Sequence, residues 1–349
     1  MIVCCGEALI DMVGGEAYKP LPGGSPFNTA VTIGKMGVPV SFLSRFSSDF
    51  FSEILLKRLR DNKVGEELLV KTSQNTTLAF VKTDKNKEAH YVFYAEGSAG
   101  CSFCVEDLPK RLPSDTSCIV FGSIAMTVEP FALAIETLIQ RENAIQSLGK
   151  DPPVISFDPN VRPFMVKEKK AYIKKMEKWI SSSTIVKMSA ADFEYIYPGV
   201  ELNKALHKVL AMGPRLAICT QGVKGASAML RRNDGNLLEI SAPTVNLPVV
   251  DTIGAGDSFH GAFLSWLEFH GKMSRSGINA LTETELFDAL YFANKAASIT
   301  CSRMGAEPPS RKEVEALKTP KNAKTAAKKP AAKTTVVKPA AKKAPAKKK

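Results

Sequence analysis

The strongest constraint on the fold is a repeated alternation between short apolar runs and longer amphipathic stretches. Residues 41–46 form an apolar run, and residues 50–62 form the helix-length stretch that follows it. The pattern recurs at 118–121 before 129–146, at 154–157 before 169–180, and at 184–187 before 201–212, with the run 216–220 following. Such alternation predicts an α/β fold, a mainly parallel sheet covered by helices on both faces. Ligand sites in folds of this kind lie at the strand ends.

One region departs from that alternation. Residues 77–80 and 89–94 are strand-prone and flank the polar turn at 84–87. Two strands joined by a short polar turn indicate a β-hairpin rather than a strand–helix–strand unit. We therefore expect a small β-sheet lid beside the main sheet, contributed by about 12–25 and 76–104.

The net charge of +12 is confined to the C-terminal segment. Residues 318–349 hold 12 of the 47 basic residues and no Asp or Glu, so the remaining 35 basic residues are balanced by 35 acidic ones. A segment of Lys, Ala, Pro and Thr cannot bury enough apolar area to fold alone, which predicts a disordered tail. The tail resembles those of linker-histone-like proteins, whose spaced lysines suit weak binding to nucleic acid or another polyanion. A solubilising or accidental extension is the alternative.

The chain lacks the features of secreted and membrane proteins. It begins without a basic, then apolar, signal segment and has no run of about 18 apolar residues, so a cytoplasmic location and no membrane association are expected. Seven cysteines, an odd number, fit a reducing compartment better than a disulfide framework. Cys101 and Cys104 form an isolated C-x-x-C, for which zinc or redox chemistry is a minor alternative. Cys118 and Cys219 lie in strand-like runs and are expected in the core.

The stretch DTIGAGD, residues 251–257, is the most informative motif. It follows a strand-like run at 245–250 and leads into a helix predicted at 255–269. Glycines allow backbone N–H groups close to a ligand, and a helix N-terminus favours an anion such as phosphate. Asp257 would then be a base that takes a proton from an attacking hydroxyl. The alternative is that Asp257 only caps the helix.

That stretch resembles the D-T-x-G-A-G-D signature of the ribokinase-like carbohydrate kinases, the PfkB family. A second stretch, GGSPFNTA at 23–30 followed by LSRFSSD at 43–49, looks like the other signature of that family. The resemblance covers roughly residues 2–306 in the expected order. It implies a ribokinase-like α/β fold with a β-lid, a kinase domain at 1–317 and a separate tail at 318–349. It also implies ATP and Mg²⁺ as cofactors.

The resemblance places a group of residues at the sugar. In the family the Gly-Gly turn and the Asn face the substrate, which implicates Gly24, Ser25 and Asn28. Gly24 permits close backbone approach, and Asn28 offers both a donor and an acceptor to hydroxyls. The alternative is that Asn28 is the N-cap of a helix ending at Met36. Residues 6–11 resemble the opening strand whose terminal Asp11 binds sugar hydroxyls.

The segment FDPNVR, residues 157–162, resembles the D-P-N-x-R segment of the fructokinase and 2-keto-3-deoxygluconate kinase branch. The resemblance implies that Arg162 approaches the substrate or the transferring phosphate. Arginine suits this role because it donates several hydrogen bonds and keeps its charge. A surface ion pair at the strand end is the alternative.

Three further segments resemble the nucleotide side of the family. KMSAAD at 187–192 lines up with the N-x-x-E region that organises water around Mg²⁺, although Ser189 and Asp192 replace Asn and Glu. Asp192 would reach a metal only through water. TQGVKG at 220–225 resembles the nucleotide loop, and residue 294 the adenine wall, with helix packing left open for the latter. The ATP-binding residues implied are Lys187, Ser189, Thr220, Gly222, Gly225 and Asn294.

Two departures from the family pattern stand out. The loop commonly written G-x-D-x-x-G reads SSDFFS at 47–52, so its backbone geometry is unspecified. His260 lies one helical turn after Asp257, where relatives often have Asn or a small residue. We interpret His260 as a packing residue rather than as a proton shuttle.

The combined resemblance implies an ATP-dependent fructokinase acting on the 6-hydroxyl of the sugar. Ser25, Pro26 and Phe27 replace the Lys-Gly pair usual in ribokinases, and residues 79–81 and 91–94 would supply the flap over the sugar. A keto-sugar acid, ribose or a nucleoside are the alternative substrates. Asp257 would accept the hydroxyl proton while the N–H groups of Gly254, Ala255 and Gly256 stabilise charge on the γ-phosphoryl. A homodimer formed through the lid is a further expectation.

Overall fold

A computed structural model of the chain describes residues 1–14, 17–83, 89–145 and 151–318. Its strands, in chain order, are β1 (Ile2–Cys5), β2 (Leu9–Gly14), β3 (Tyr18–Gly23), β4 (Val40–Ser47), β5 (Leu69–Thr72), β6 (Thr77–Thr83), β7 (Ala89–Tyr94), β8 (Cys118–Gly122), β9 (Val154–Asp158), β10 (Ile185–Ser189), β11 (Leu216–Thr220), β12 (Ala226–Arg231) and β13 (Leu237–Ala242). Its helices are α1 (Ser25–Met36), α2 (Phe50–Asp61), α3 (Phe131–Ala144), α4 (Lys169–Ser181), α5 (Ala190–Ile196), α6 (Leu202–Ala211), α7 (Ala255–Phe269), α8 (Arg275–Asn279), α9 (Glu283–Cys301) and α10 (Arg311–Ala316).

The main sheet has nine strands in the order β13-β12-β11-β10-β9-β8-β1-β4-β5. Neighbouring strands from β5 to β11 pair in parallel, and only β12 and β13 run antiparallel. The predicted mainly parallel sheet is therefore confirmed. Because parallel strands share one carboxyl edge, the residues that follow β1, β8, β9 and β10 meet at the same side of the molecule.

Helices cover both faces of this sheet, as predicted. On one face α7 packs between α1 and α9, and its side chains from Asp257 to Leu267 are buried. On the other face α3, α4 and α6 pack against the sheet around Phe121, Phe157 and Trp179. Cys118 and Cys219 are buried in the sheet, as the sequence predicted. A helix buried on nearly every side is held rigidly, which suits α7 for presenting a site at its N-terminus.

The smaller sheet has four strands in the order β3-β2-β6-β7. The antiparallel pairing of β6 with β7 confirms the predicted hairpin, while the turn predicted at 84–87 lies outside the described residues. The lid strands begin at Leu9, and residues 99–101 and 105–107 form short 3₁₀ turns rather than strands. Asp11 lies within β2 of the lid, not at the end of the opening strand, because the chain leaves β1 at Gly6, where φ is +157°.

The strand expected before the glycine-rich loop is absent. Residues 243–254 are all described, and none of them belongs to a strand. Instead, the N–H groups of Val250 and Asp251 both donate to the carbonyl of Cys301 at the end of α9, at 2.8 and 3.1 Å. The apolar run 245–250 therefore crosses the end of α9 rather than joining the sheet, so that prediction was wrong.

Two expectations concern the ends of the fold. Residues 319–349 lie outside the described part of the chain, so the predicted disorder of the tail stays a prediction. Among the described helices, none has the length and apolar character needed to cross a bilayer.

Candidate active site

The N-termini of α1 and α7 meet in one cleft, and Asp257 joins them. The hydroxyl of Ser25 donates to Oδ1 of Asp257 at 2.6 Å, and Nδ2 of Asn28 donates to Oδ2 at 2.9 Å. The N-cap of α7 is Gly254, and Asp257 makes no side-chain capping bond. The N-cap of α1 is Gly24, so Asn28 lies inside the helix. The structure therefore excludes the capping alternatives for both residues.

The loop before α7 has the shape expected of an anion-binding turn. Gly254 has φ +73°, and a Cβ at this position would lie 2.6 Å from the Cβ of Ala306, so a larger residue does not fit. The N–H of Ala255 donates to the carbonyl of Thr252 at 3.3 Å. That turn occupies the Ala255 amide in part, so the predicted cradle for a phosphoryl group depends mainly on the amides of Gly254 and Gly256.

The carboxyl of Asp257 is poised between two opposing influences. Burial raises its pKa, while the hydrogen bonds from Ser25 and Asn28 and the nearby ammonium of Lys187 act in the opposite direction. The net shift is upward, and a carboxyl group whose pKa is raised accepts a proton more readily than a free one, which suits a general base.

A buried ion pair lies directly behind the glycine-rich loop. Nζ of Lys187 in β10 donates to Oδ2 of Asp158 in β9 at 2.6 Å, and the two side chains are 5% and 6% exposed. A Cβ on Gly256 would come within 3.2 Å of this ammonium. Burial lowers the pKa of Lys187, but Asp158 together with the charges of Asp192 and Asp257 raises it by more, so the net shift is upward and the lysine is cationic. Its charge adds to the positive end of α7 at the predicted phosphoryl site.

His260 is part of the same buried layer. Its Nε2 lies 2.7 Å from the hydroxyl of Ser156, and its ring is almost completely buried. Burial lowers the pKa of His260 to about 3, so the ring is neutral at physiological pH. These contacts favour the packing interpretation over a proton shuttle.

Asp11 and Arg162, the residues expected to face the sugar, lie close enough for their charges to interact. Burial raises the pKa of Asp11 to about 6, while the charge of Arg162 lowers it and that of Asp257 raises it, so the three groups share one electrostatic environment. A Cβ at Gly23 would lie 2.2 Å from Oδ2 of Asp11, so the double glycine leaves room for this carboxylate. Gly24 has φ +108° and has no room for a Cβ against the carbonyl of Glu7.

Arg162 is held by its own loop. Its Nη1 donates to the carbonyl of Asn160 at 3.0 Å and to Oδ1 of Asn160 at 2.6 Å. Asn160 has φ +39°, an uncommon conformation for a residue with a side chain. The ion pairs found among the described residues do not include Arg162, which argues against the surface ion-pair alternative.

We expect Asp11→Asn to stabilise the fold while weakening sugar binding. Burial raises the pKa of Asp11 to about 6 in the folded protein, against about 3.9 in the unfolded chain. At pH values between these two, folding is accompanied by proton uptake. The free energy of unfolding of the wild type therefore falls as pH rises from about 4 to 6. Above pH 6 the loss is complete, and the Asn variant should be more stable by about 1–3 kcal/mol. Urea unfolding at several pH values measures this difference, which should vanish near pH 4. A variant no more stable than wild type at neutral pH would contradict the argument.

Ser189 and Asp192 are engaged with each other and with the Arg162 loop. They form the capping box of α5, in which Oδ2 of Asp192 accepts from the N–H and the hydroxyl of Ser189 at 2.7 and 2.6 Å. Oδ1 of Asp192 accepts from the N–H of Val161 at 2.8 Å. In the described part of the chain, no three His, Cys, Asp or Glu side chains form a metal cluster. These residues therefore fit only a Mg²⁺ ion that keeps most of its water.

The remaining nucleotide-side residues meet around the end of β13. Thr220 ends β11, and Gly222 begins a 3₁₀ turn. Gly225 has φ +88° and a Cβ there would lie 2.1 Å from the carbonyl of Ala242. Asn294 in α9 donates to that same carbonyl at 2.9 Å. The loop and α9 are thus adjacent, and the Asn294 amide group joins α9 to the end of β13.

Glu7 was not predicted as a site residue from the sequence. Its side chain is 1% exposed and accepts from the N–H of Ser25 at 3.3 Å and from the N–H of Ala125 at 3.0 Å. The only available signal was a carboxylate set in the apolar stretch IVCCGEALI, where a charged residue needs a partner. All seven cysteines are free thiols in the structure.

Comparisons with known proteins agree with this arrangement. Residues 1–313 match the family described as "pfkB family carbohydrate kinase". A fructokinase from Rhizobium leguminosarum bv. trifolii is 34% identical over 292 residues, which cover 82% of this chain and 85% of the relative. The structure of a fructokinase from Xylella fastidiosa with bound ATP is 26% identical, with a TM-score of 0.80 and coverage of 90% and 96%.

A more distant structure bears on the fold alone. It is a fructokinase from Vibrio cholerae O395 in a form bound to fructose, ADP and calcium, 22% identical with a TM-score of 0.76 over 90% of this chain and 97% of the other. The ribokinase-like α/β fold expected from the sequence is confirmed by these matches.

Proposed function

Because this chain belongs to the pfkB family of carbohydrate kinases, we propose that it is a fructokinase that transfers the γ-phosphoryl of ATP to the 6-hydroxyl of D-fructose. As a carbohydrate kinase it is a phosphotransferase with an alcohol acceptor. The observation that carries the proposal is the position of Asp257, buried at the N-terminus of α7, held by Ser25 and Asn28, and close enough to Asp11 for their charges to interact. We also propose that the kinase domain spans residues 1–317.

The described side chains suggest how this reaction proceeds. Asp11, Arg162 and the backbone at Gly24 bind and orient the sugar, while Asp257 accepts the proton of the attacking hydroxyl. The amides of Gly254 and Gly256, supported by Lys187 behind them, stabilise charge on the transferring phosphoryl group. Mg²⁺, held through water near Asp192, would neutralise charge on the phosphates of ATP. The lid excludes water from the cleft.

Ser25 and Asn28 take a different role from the one the resemblance implied. Their side chains hold Asp257 rather than pointing only at the sugar. We therefore propose that they act chiefly on the base, with Asn28 keeping its carbonyl oxygen for a sugar hydroxyl. Thr220, Gly222, Gly225 and Asn294 remain proposed contacts of ATP.

A substrate panel tests the proposed function. ADP release from ATP and Mg²⁺ should be fastest, at limiting sugar, with D-fructose. Ribose, 2-keto-3-deoxygluconate and a nucleoside should give kcat/KM values lower by roughly 10-fold or more, because a site built around particular hydroxyls leaves its polar groups unpaired with another substrate. A preference for any of those three would replace fructose in the proposal and leave the kinase assignment in place.

The tail supports a second, accessory activity. Its composition favours weak binding to nucleic acid, and its 12 lysines lie beyond a body with balanced charge. We expect the full chain to bind duplex DNA with an affinity that falls steeply as salt rises, and a 1–317 truncation to bind at least about 10-fold more weakly. A fluorescence anisotropy titration measures both proteins. Equal affinities of the full chain and the truncation for DNA would show that the tail does not contribute to binding.

We also propose a homodimer formed through the lid. The ring of Phe80 in the small sheet contacts the rings of Tyr18 and Tyr94 edge to face. Tyr18, Val92 and Tyr94 are 39%, 56% and 62% exposed, which leaves an apolar surface there. A monomeric mass in solution would contradict this proposal.

The cysteines support a location in a reducing compartment. All seven are free thiols, and five of them are buried. We therefore propose that the protein resides in the cytoplasm.

A further inference from the structure

Glu7 is a buried carboxylate to which the proposed reaction gives no role. It lies in the short segment that connects β1 of the main sheet to β2 of the lid, and it is 1% exposed. Burying a carboxylate costs several kcal/mol unless hydrogen bonds satisfy it. What Glu7 contacts therefore indicates what the protein gains from it.

The hydrogen bonds found for the Glu7 carboxylate among the described residues all come from protein donors. Oε1 accepts from the N–H of Ser25 and Oε2 from the N–H of Ala125, and the Ser123 hydroxyl also stabilises the ionised form. Burial raises the pKa of Glu7, while these donors oppose the rise. A Gln here would have to turn its NH₂ group toward one of the two backbone N–H groups. The site therefore requires an acceptor on both sides.

One carboxylate oxygen of Glu7, Oε2, binds a strained loop. Ser123 has φ 61° and ψ −149°, a region that residues other than glycine rarely adopt. The preceding Gly122 has its Cβ position only 1.8 Å from the carbonyl of Asp158, so the loop is pressed against the end of β9. The Ala125 contact of Glu7 joins this loop to the start of α1.

The other carboxylate oxygen, Oε1, is connected to Asp257 through Ser25. Ser25 is the first residue of α1, and the same residue that donates its N–H to Glu7 donates its hydroxyl to Oδ1 of Asp257 at 2.6 Å. The direction of that hydroxyl depends on where the Ser25 backbone is held. We propose that Glu7 is a positioning residue that fixes Ser25, so that Ser25 orients and stabilises Asp257 as the base. This inference rests on the proposed kinase function.

Other groups that do not contact Glu7 also surround Asp257. Asn28 approaches it from α1, the charges of Lys187 and Asp158 from β10 and β9, and that of Asp11 from β2. Loss of the Ser25 hydroxyl removes a donor to the ionised carboxylate, so the pKa of Asp257 should rise. Since a base must be deprotonated to act, the acidic limb of the kcat profile should move to higher pH.

A double-mutant cycle in the full chain tests the proposal. We expect Glu7→Gln and Ser25→Ala each to lower kcat for D-fructose by roughly 10-fold and to move the acidic limb upward. The kcat of the double variant should equal that of the less active single variant, because both changes disrupt the same connection from Glu7 through Ser25 to Asp257. The KM for ATP should stay unchanged. Glu7→Asp, which keeps an acceptor but shortens it, should fall between wild type and Glu7→Gln.

A matched control separates positioning from general loss of stability. Ser183 is a buried serine whose hydroxyl donates to the carbonyl of Trp179 at 2.7 Å, and it lies before the amino end of β10, at the edge of the sheet opposite the site. Ser183→Ala should leave kcat and its pH profile unchanged. If Glu7→Gln fails to fold, Glu7→Asp and Ser25→Ala still complete a cycle.

The outcomes distinguish this inference from the proposed function. Effects of Glu7 and Ser25 that multiply in the double variant, or an acidic limb that stays in place in Ser25→Ala, would overturn the positioning role alone. Normal turnover in Asp257→Asn would instead remove the base on which the proposed function depends.

Discussion

Asp257→Asn is expected to lower kcat by roughly 10² to 10⁴-fold with little change in folding. The amide has the shape of the carboxylate, so it can keep the bond from Ser25 while Asn28 turns its own amide to accept. It cannot accept the proton of the attacking hydroxyl. Since the substitution also removes a buried charge, stability should not fall. Steady-state ADP release with saturating sugar and ATP measures the effect.

The control for this variant is Asp61→Asn. Asp61 is an exposed carboxylate paired with Lys57 one helical turn away in α2, and an exposed pair of this kind contributes little. Its turnover should equal that of wild type. Near-normal activity of Asp257→Asn beside an unchanged control would show that another group takes the proton.

Lys187→Met is expected to destabilise the protein by about 3–5 kcal/mol. The change leaves Asp158 buried without its cationic partner, since Nζ of Lys187 donates to it at 2.6 Å and both side chains are nearly inaccessible. An uncompensated buried carboxylate is the costly state, more so than loss of the pair itself. Urea unfolding followed by circular dichroism measures the change at neutral pH.

A second substitution distinguishes charge from packing. In Lys187→Met/Asp158→Asn the buried charge is gone, so a large part of the lost stability should return. Lys57→Met, at the exposed pair in α2, should change the free energy of unfolding by less than about 1 kcal/mol. A double variant as unstable as Lys187→Met would assign the loss to side-chain packing. Turnover of the double variant should remain low, because the cation behind Gly256 is still missing.

The sequence predicted the parts of the fold that follow from local patterns. Apolar runs alternating with amphipathic stretches indicated the main sheet, and α7 was predicted at its observed bounds, Ala255–Phe269. The run 245–250 has the same apolar character, yet it is not a strand. Its N–H groups find the carbonyl of Cys301, a residue about 50 positions later, and no local pattern reveals such a partner.

In the site as well, the features that were predicted are those formed by residues adjacent in sequence. Asp257 was recognisable because glycines before a helix and a carboxylate in its first turn are adjacent in sequence. The donors that hold it come from α1, 232 and 229 residues earlier, so their role as its partners emerged only from the fold. Glu7 was missed for a related reason. A lone carboxylate in an apolar stretch signals a buried partner but does not say which one.

Gly24 is the single residue between β3 of the lid and Ser25, the first residue of α1, whose hydroxyl binds Asp257. Because the hydroxyl of Ser25 donates to Asp257, a movement of the lid would be passed to this carboxyl group through one residue. Lid closure and alignment of the proposed base would then be a single coupled motion.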